Sequence, residues 1–135
     1  MAADPGLLWT LCPTGAGVPL FLVPSVGTTP LSFVRLARAL APPRPVHAFG
    51  YAGMDDDAVP HATIEAMATA CIDELLALSP RGPWVLGGHC FGGVVALEMT
   101  RQLESAGCEV ARLVLIETIP PPLAAGAASA CRASC

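Results

Sequence analysis

The chain has 135 residues, 53% of them apolar and 13% charged, which marks a core-forming chain of one-domain length and excludes a disordered one. A net charge of -4 gives no electrostatic basis for binding nucleic acid or an anionic membrane surface. Met1-Ala2-Ala3-Asp4 lacks the basic region of a secretory signal, and no uncharged apolar run reaches bilayer-spanning length, so a cytoplasmic chain is expected.

Two short apolar runs, Leu7–Cys12 and Pro19–Pro24, flank the turn signal Thr14-Gly15-Ala16-Gly17 and predict a hairpin or two neighbouring strands. Within the second, Leu20–Val23 is continuously apolar, as a strand covered on both faces should be, and it runs into the small-residue loop Pro24–Thr29. Ser32–Leu40 sets Phe33, Leu36, Ala37 and Leu40 on one helical face and stops at Pro42-Pro43-Arg44-Pro45. Val46–Tyr51 predicts a third strand. Gly53–Asp57 predicts an exposed acidic loop, because its adjacent aspartates lack the alternating spacing of a calcium site. Thr63–Leu78 predicts a second helix, with Ile64, Met67, Cys71, Leu75 and Leu78 at helical spacing and Thr63 as its N-cap.

The next stretch, Trp84-Val85-Leu86-Gly87-Gly88-His89-Cys90-Phe91-Gly92-Gly93, organises the rest. An apolar strand ends in glycines, a Gly-x-Cys-x-Gly pentad spans Gly88–Gly92, and a helical run follows at once. This reads as a nucleophile elbow with cysteine in the place of serine. The turn is so tight that side chains at positions 88 and 92 would collide with the neighbouring strand and helix, and the nucleophile itself is strained. The helix directs its N–H groups and positive end at the site, where they stabilise an oxyanion.

That helix runs to about Ala106 with Gly107 as its C-cap, and Val110–Ile116 is a further apolar strand ending at Glu117. After Pro120-Pro121-Pro122 periodicity is lost, which predicts a folded unit over 1–122 and a low-complexity, disordered tail over 123–135. The six cysteines form no C-x-x-C pair and fit neither zinc-ligand spacing nor a compact disulfide framework. Reduced thiols and no metal are expected, with Cys12, Cys71 and Cys108 as small buried or half-buried hydrophobes. Strands alternating with helices predict an α/β fold, a mostly parallel sheet with flanking helices. Sites in such sheets lie at the carboxyl ends of the strands, which is where the Pro24–Gly27 loop, Cys90 and Glu117 fall.

Over roughly Pro19–Pro122 the sequence resembles the α/β-hydrolase thioesterase domains of non-ribosomal peptide and polyketide synthases. The resemblance rests on the run at 19–27, Phe33 through Leu40, Gly82–Gly93, Ala96-Leu97-Glu98-Met99 and Leu113–Thr118. It implies Cys90 as nucleophile, the backbone N–H groups of Phe91 and Val26 as oxyanion donors, and Glu117 at the position of the triad acid, one methylene longer than the usual aspartate. It implies no bound cofactor; the substrate is an acyl or peptidyl thioester carried on the phosphopantetheine of a carrier protein, and that carrier is the partner. The family's histidine comes later than these residues, so the resemblance implies the N-terminal half of an α/β-hydrolase fold. Of the histidines present, His89 is expected to pack, His47 to sit at the wrong end of its strand, and His61 to lie in a loop. The expected activity is release of the chain by hydrolysis or cyclisation through a Cys90 acyl-enzyme. The alternatives are an inactive fragment without its histidine and a general α/β-hydrolase esterase. Half a sheet is also expected to leave apolar surface uncovered.

Overall fold

The computed structural model describes residues 7–40, 43–51 and 63–119. The expected acidic loop, His61 and the 123–135 tail lie outside these. The elements are β1 (Leu8–Cys12), β2 (Leu20–Val23), a 3-10 turn (Pro30–Phe33) leading into α1 (Val34–Ala39), β3 (Val46–Phe49), α2 (Ile64–Leu78), β4 (Trp84–His89), α3 (Phe91–Ser105) and β5 (Val110–Ile116). The strands form one sheet in the order β1-β3-β2-β4-β5. β3, β2, β4 and β5 run parallel, and β1 pairs antiparallel with β3.

One expectation fails here. β1 and β2 are not neighbours, because β3 lies between them. The physical reason is burial. All four residues of β2 are buried, so it takes a central place with a parallel partner on each edge. β1 is half-exposed along its length and suits the sheet margin. A turn signal says where a chain reverses, not which strand it then lies beside.

The sheet sorts its residues by the two-residue period of a strand. Phe21 and Val23 face a core built with Phe49, Trp84 and Leu86 from the sheet and with Leu75 of α2 and Met99 of α3. Leu20 and Leu22 face the opposite side, with Val46, Val85, Phe33 and Ala37 under α1. Each large apolar side chain fully buried this way contributes about 1.5–3 kcal/mol. Trp84 is almost wholly buried, and its indole N–H is satisfied by the Ser79 carbonyl at 3.1 Å.

The caps follow the sequence. Thr63 Oγ1 accepts from the Ala66 N–H at 3.0 Å and starts α2. Gly107, at φ 83, ends α3; its N–H reaches the Glu104 carbonyl at 3.0 Å and the Cys108 N–H reaches that of Leu103 at 2.9 Å. The helix expected over Ser32–Leu40 begins earlier, as the 3-10 turn, because Thr29 caps it and Pro30 fits its first position. Cys71 is buried and Cys12 and Cys108 are half-buried, as expected. Burial, and secondarily Glu74, pushes the Cys71 thiol up to about 12. At the other margin, Val114 and Leu115 of β5 remain exposed, which is the uncovered apolar surface the sequence predicted. No helix among the described residues is long and apolar enough to cross a membrane.

Candidate active site

Cys90 stands between the end of β4 and the start of α3 with φ 54 and ψ -120. A non-glycine residue in this region costs on the order of 1–3 kcal/mol, and only over-determined surroundings keep it there. The surroundings are visible. The Cys90 N–H donates to the Ile116 carbonyl at 2.9 Å, and the Cys90 carbonyl accepts from the Gly93 N–H at 3.0 Å and from Thr118 Oγ1 at 3.0 Å.

Three glycines make room for the turn. A Cβ on Gly88 would lie 2.2 Å from the Gly92 carbonyl oxygen, and one on Gly92 would lie 2.1 Å from the Val23 carbonyl oxygen and 2.4 Å from that of Pro24. The expected collisions of positions 88 and 92 with helix and strand are therefore present. Gly93 adds a third that the motif did not announce: its Cβ would meet Thr118 Oγ1 at 1.9 Å.

The thiol side chain is exposed at this junction. Phe91 is the first residue of α3, and N–H groups in a helix's first turn have no acceptor within the helix. Val26 lies in the loop after β2. That loop is brought to the elbow by the β2–β4 register, which pairs Val23 with Gly88, and by Gly92 seated against the Val23–Pro24 backbone. Its shape is set by Thr28, whose N–H and hydroxyl both donate to the Ser25 carbonyl, at 3.1 and 2.7 Å. In a trans peptide the N–H opposes the C=O, so the Val26 N–H points away from the interior of this turn. Tyr51, just beyond β3, donates its hydroxyl to the Pro24 carbonyl and lays its ring beside Phe91, with centroids 6.5 Å apart.

Glu117 follows β5 at φ 50, with its side chain 81% exposed. Its Oε2 lies 3.3 Å from His89 Nε2. This corrects the expectation that His89 only packs. The half-buried ring reaches across the mouth of the β4–β5 pair, where strand ends in register place His89 opposite Ile116 and so beside Glu117. His47 behaves as expected. It is buried early in β3, with its ring stacked on Phe21 at 4.9 Å and Nδ1 at 3.0 Å from Thr10 Oγ1, and burial lowers its pKa.

Cys90, Phe91, the Val26 loop and Glu117 thus share the carboxyl end of the sheet. Tyr51, Thr28 and Thr118 join them and were missed. One signal was available for two of them: Tyr51 and Thr118 each follow the carboxyl end of a parallel strand, where such sites form. Among the described residues, no group of three or more His, Cys, Asp or Glu side chains is arranged to hold a metal ion.

The chain is similar to known proteins in sequence and fold. A family model for the thioesterase domain matches residues 18–132. The chain is 37% identical over 112 residues to atromentin synthetase from Tapinella panuoides, covering 82% of this chain and 12% of that protein. It is 35% identical over 98 residues to the nonribosomal peptide synthetase btyA from Aspergillus terreus (strain NIH 2624 / FGSC A1156), covering 73% of this chain and 10% of that protein. Among solved structures, the NocB thioesterase domain from the nocardicin cluster superposes with a TM-score of 0.76 at 35% identity, covering 83% of this chain and 50% of that one. YbtT, a type II thioesterase from the yersiniabactin pathway, superposes with a TM-score of 0.76 at 26% identity, covering 87% of this chain and 49% of that one. The chain therefore spans about half the length of these solved thioesterases and a small part of the curated synthetases it matches.

Proposed function

The chain belongs to the thioesterase domain family, a family of hydrolases, and we propose that it supplies the nucleophile and the oxyanion hole for releasing acyl or peptidyl chains from a phosphopantetheine carrier protein. The observation that carries this reading is Cys90 itself, an exposed thiol at φ 54 on a strand–helix junction closed by glycines. No other cysteine among the described residues has that setting.

In the proposed reaction the Cys90 thiol gives up its proton and its sulfur attacks the thioester carbonyl. The carbonyl electrons move onto oxygen, where the N–H groups of Phe91 and Val26 receive the charge. The carbonyl re-forms, the bond to the pantetheine sulfur breaks, and that thiolate leaves and takes a proton. Water, or a hydroxyl or amine of the chain itself, then attacks the acyl-Cys90 carbonyl and frees the sulfur. Glu117 takes the role of the acid that orients the family's histidine.

Cysteine alters the energetics of loading. A thioester is exchanged for a thioester, so the free energy of the carrier linkage is kept for the second step, whereas a serine ester would dissipate it. This favours release by ring closure over plain hydrolysis. For the 135 residues taken alone, one observation favours a stoichiometric acceptor over a turning-over enzyme. Of the two described histidines, His47 is buried early in its strand and His89 faces Glu117.

The test uses an acyl-pantetheine thioester with intact-mass detection and peptide mapping. One acyl group on Cys90 is expected, absent in Cys90→Ala, and removed again by excess free pantetheine. Cys90→Ser should load more slowly and resist that reversal. Acylation of Cys12 or Cys108 at the rate of Cys90, or a retained adduct in Cys90→Ala, overturns the reading.

A further inference from the structure

Tyr51 touches both sides of the oxyanion cradle. It sits half-buried just past the carboxyl end of β3, with its ring against Phe91 and its hydroxyl on the Pro24 carbonyl. Pro24 is buried, and its carbonyl oxygen is one of the three backbone atoms that a side chain on Gly92 would strike, so this peptide lies directly on the first turn of α3. Two peptide planes lead from there to the Val26 N–H. Thr28 orients the second by holding the Ser25 carbonyl. The first, Pro24–Ser25, is held by Tyr51. Burial pushes the Tyr51 hydroxyl well above the ordinary tyrosine range, as secondarily do the charges that Cys71 and Cys90 would carry nearby, so it stays a proton donor at any working pH.

We infer that Tyr51 is a positioning residue for acyl transfer: its hydroxyl holds the Pro24 carbonyl while its ring braces Phe91, and together these contacts fix the spacing of the two N–H groups that receive the oxyanion. The inference rests on the thioesterase reading above and adds to it a residue whose effect passes through the loop and not through the thiol. Hydrogen-bond donors in such a hole act by being fixed in advance, so a small loosening lowers the rate without touching the nucleophile.

Two reactions at Cys90 separate these effects. Acylation by acyl-pantetheine builds a tetrahedral oxyanion; alkylation by iodoacetamide does not. Tyr51→Phe keeps the ring and removes the donor. It should slow acylation of Cys90 about tenfold, against the hundredfold or more typical of losing a whole oxyanion donor. The alkylation rate should change less than about twofold, with thermal unfolding recorded for both proteins. Equal acylation rates in Tyr51→Phe and the parent chain overturn the inference. So does an equal slowing of both reactions, which would place the effect on the thiol or on folding. If the parent chain is alkylated at Cys90 but never acylated there, the thioesterase reading itself fails, and this inference fails with it.

Discussion

Replacing Gly92 by alanine tests whether the elbow and the loop after β2 form one rigid unit. The added Cβ would lie 2.1 Å from the Val23 carbonyl oxygen, 2.4 Å from that of Pro24 and 2.6 Å from the Val23 carbonyl carbon. All three are backbone atoms, so no side chain can rotate away. Restoring ordinary contact requires moving β2's end and α3's start apart by about 1 Å, an overpacking that costs about 2–3 kcal/mol. For a chain of this length that is a fall in Tm of roughly 10 °C. The same displacement separates the Val26 loop from Phe91, and a misplacement of about 1 Å costs acyl transfer about a hundredfold. Gly107→Ala is the contrast. Position 107 is at φ 83 with nothing within 4 Å of a new Cβ, so the change strains the backbone by about 1 kcal/mol without crowding. It should lower Tm by only roughly 4 °C and leave the acylation rate of Cys90 unchanged. Differential scanning calorimetry and timed acylation of the two variants read both quantities. A Gly92→Ala protein with parental Tm and parental acylation would refute the packing argument, and so would one that loses stability yet loads at full rate.

Thr118→Val removes the hydroxyl on the Cys90 carbonyl at little change in shape. It should cost about 1 kcal/mol, or roughly 4 °C in Tm. Acylation should slow with it, and Thr118→Ser should retain both; equal behaviour of the two variants in calorimetry and loading would remove Thr118 from the elbow's support. His47 gives a pH dependence. Its folded pKa is lowered below 6.5 by burial, so on acidification the unfolded chain takes up the proton first. The stability linked to His47 is therefore full above the unfolded value and falls as the pH drops through it toward the folded one. Tm measured from about pH 7.5 to about pH 5.5 should decline in the parent chain and decline less in His47→Phe. Parallel curves would mean that other groups set the acid limb.

What was legible in the sequence was whatever depends on neighbours along the chain. The apolar run Leu20–Val23 announced a strand buried on both faces, Thr63 announced a helix start, and the spacing of Gly88, Cys90 and Gly92 announced a strained junction. What depends on partners far along the chain was not legible. The place of β1 in the sheet was decided by which strand could spare an exposed edge, a comparison no local window contains. Tyr51 reaches a carbonyl 27 residues away, and Thr118 and Glu117 each meet a partner 28 residues away. Such side-chain bonds follow no period, since a single hydroxyl or carboxylate placed by two elements has no repeat to betray it. The carboxyl-end rule for parallel sheets narrows the search to a few positions, and Tyr51 and Thr118 were among them.

The support of Cys90 from β5 also imposes an order of assembly. The carbonyl that receives the Cys90 N–H belongs to Ile116, and the hydroxyl on its own carbonyl belongs to Thr118. On the ribosome these residues arrive after the thiol, by about one to several seconds at ordinary elongation speeds. In that interval the nascent chain carries the sulfur without the backbone that aims it, free to react as any exposed cysteine does. The thiol is made early and is held at the elbow only when the sheet's last described strand docks beside it.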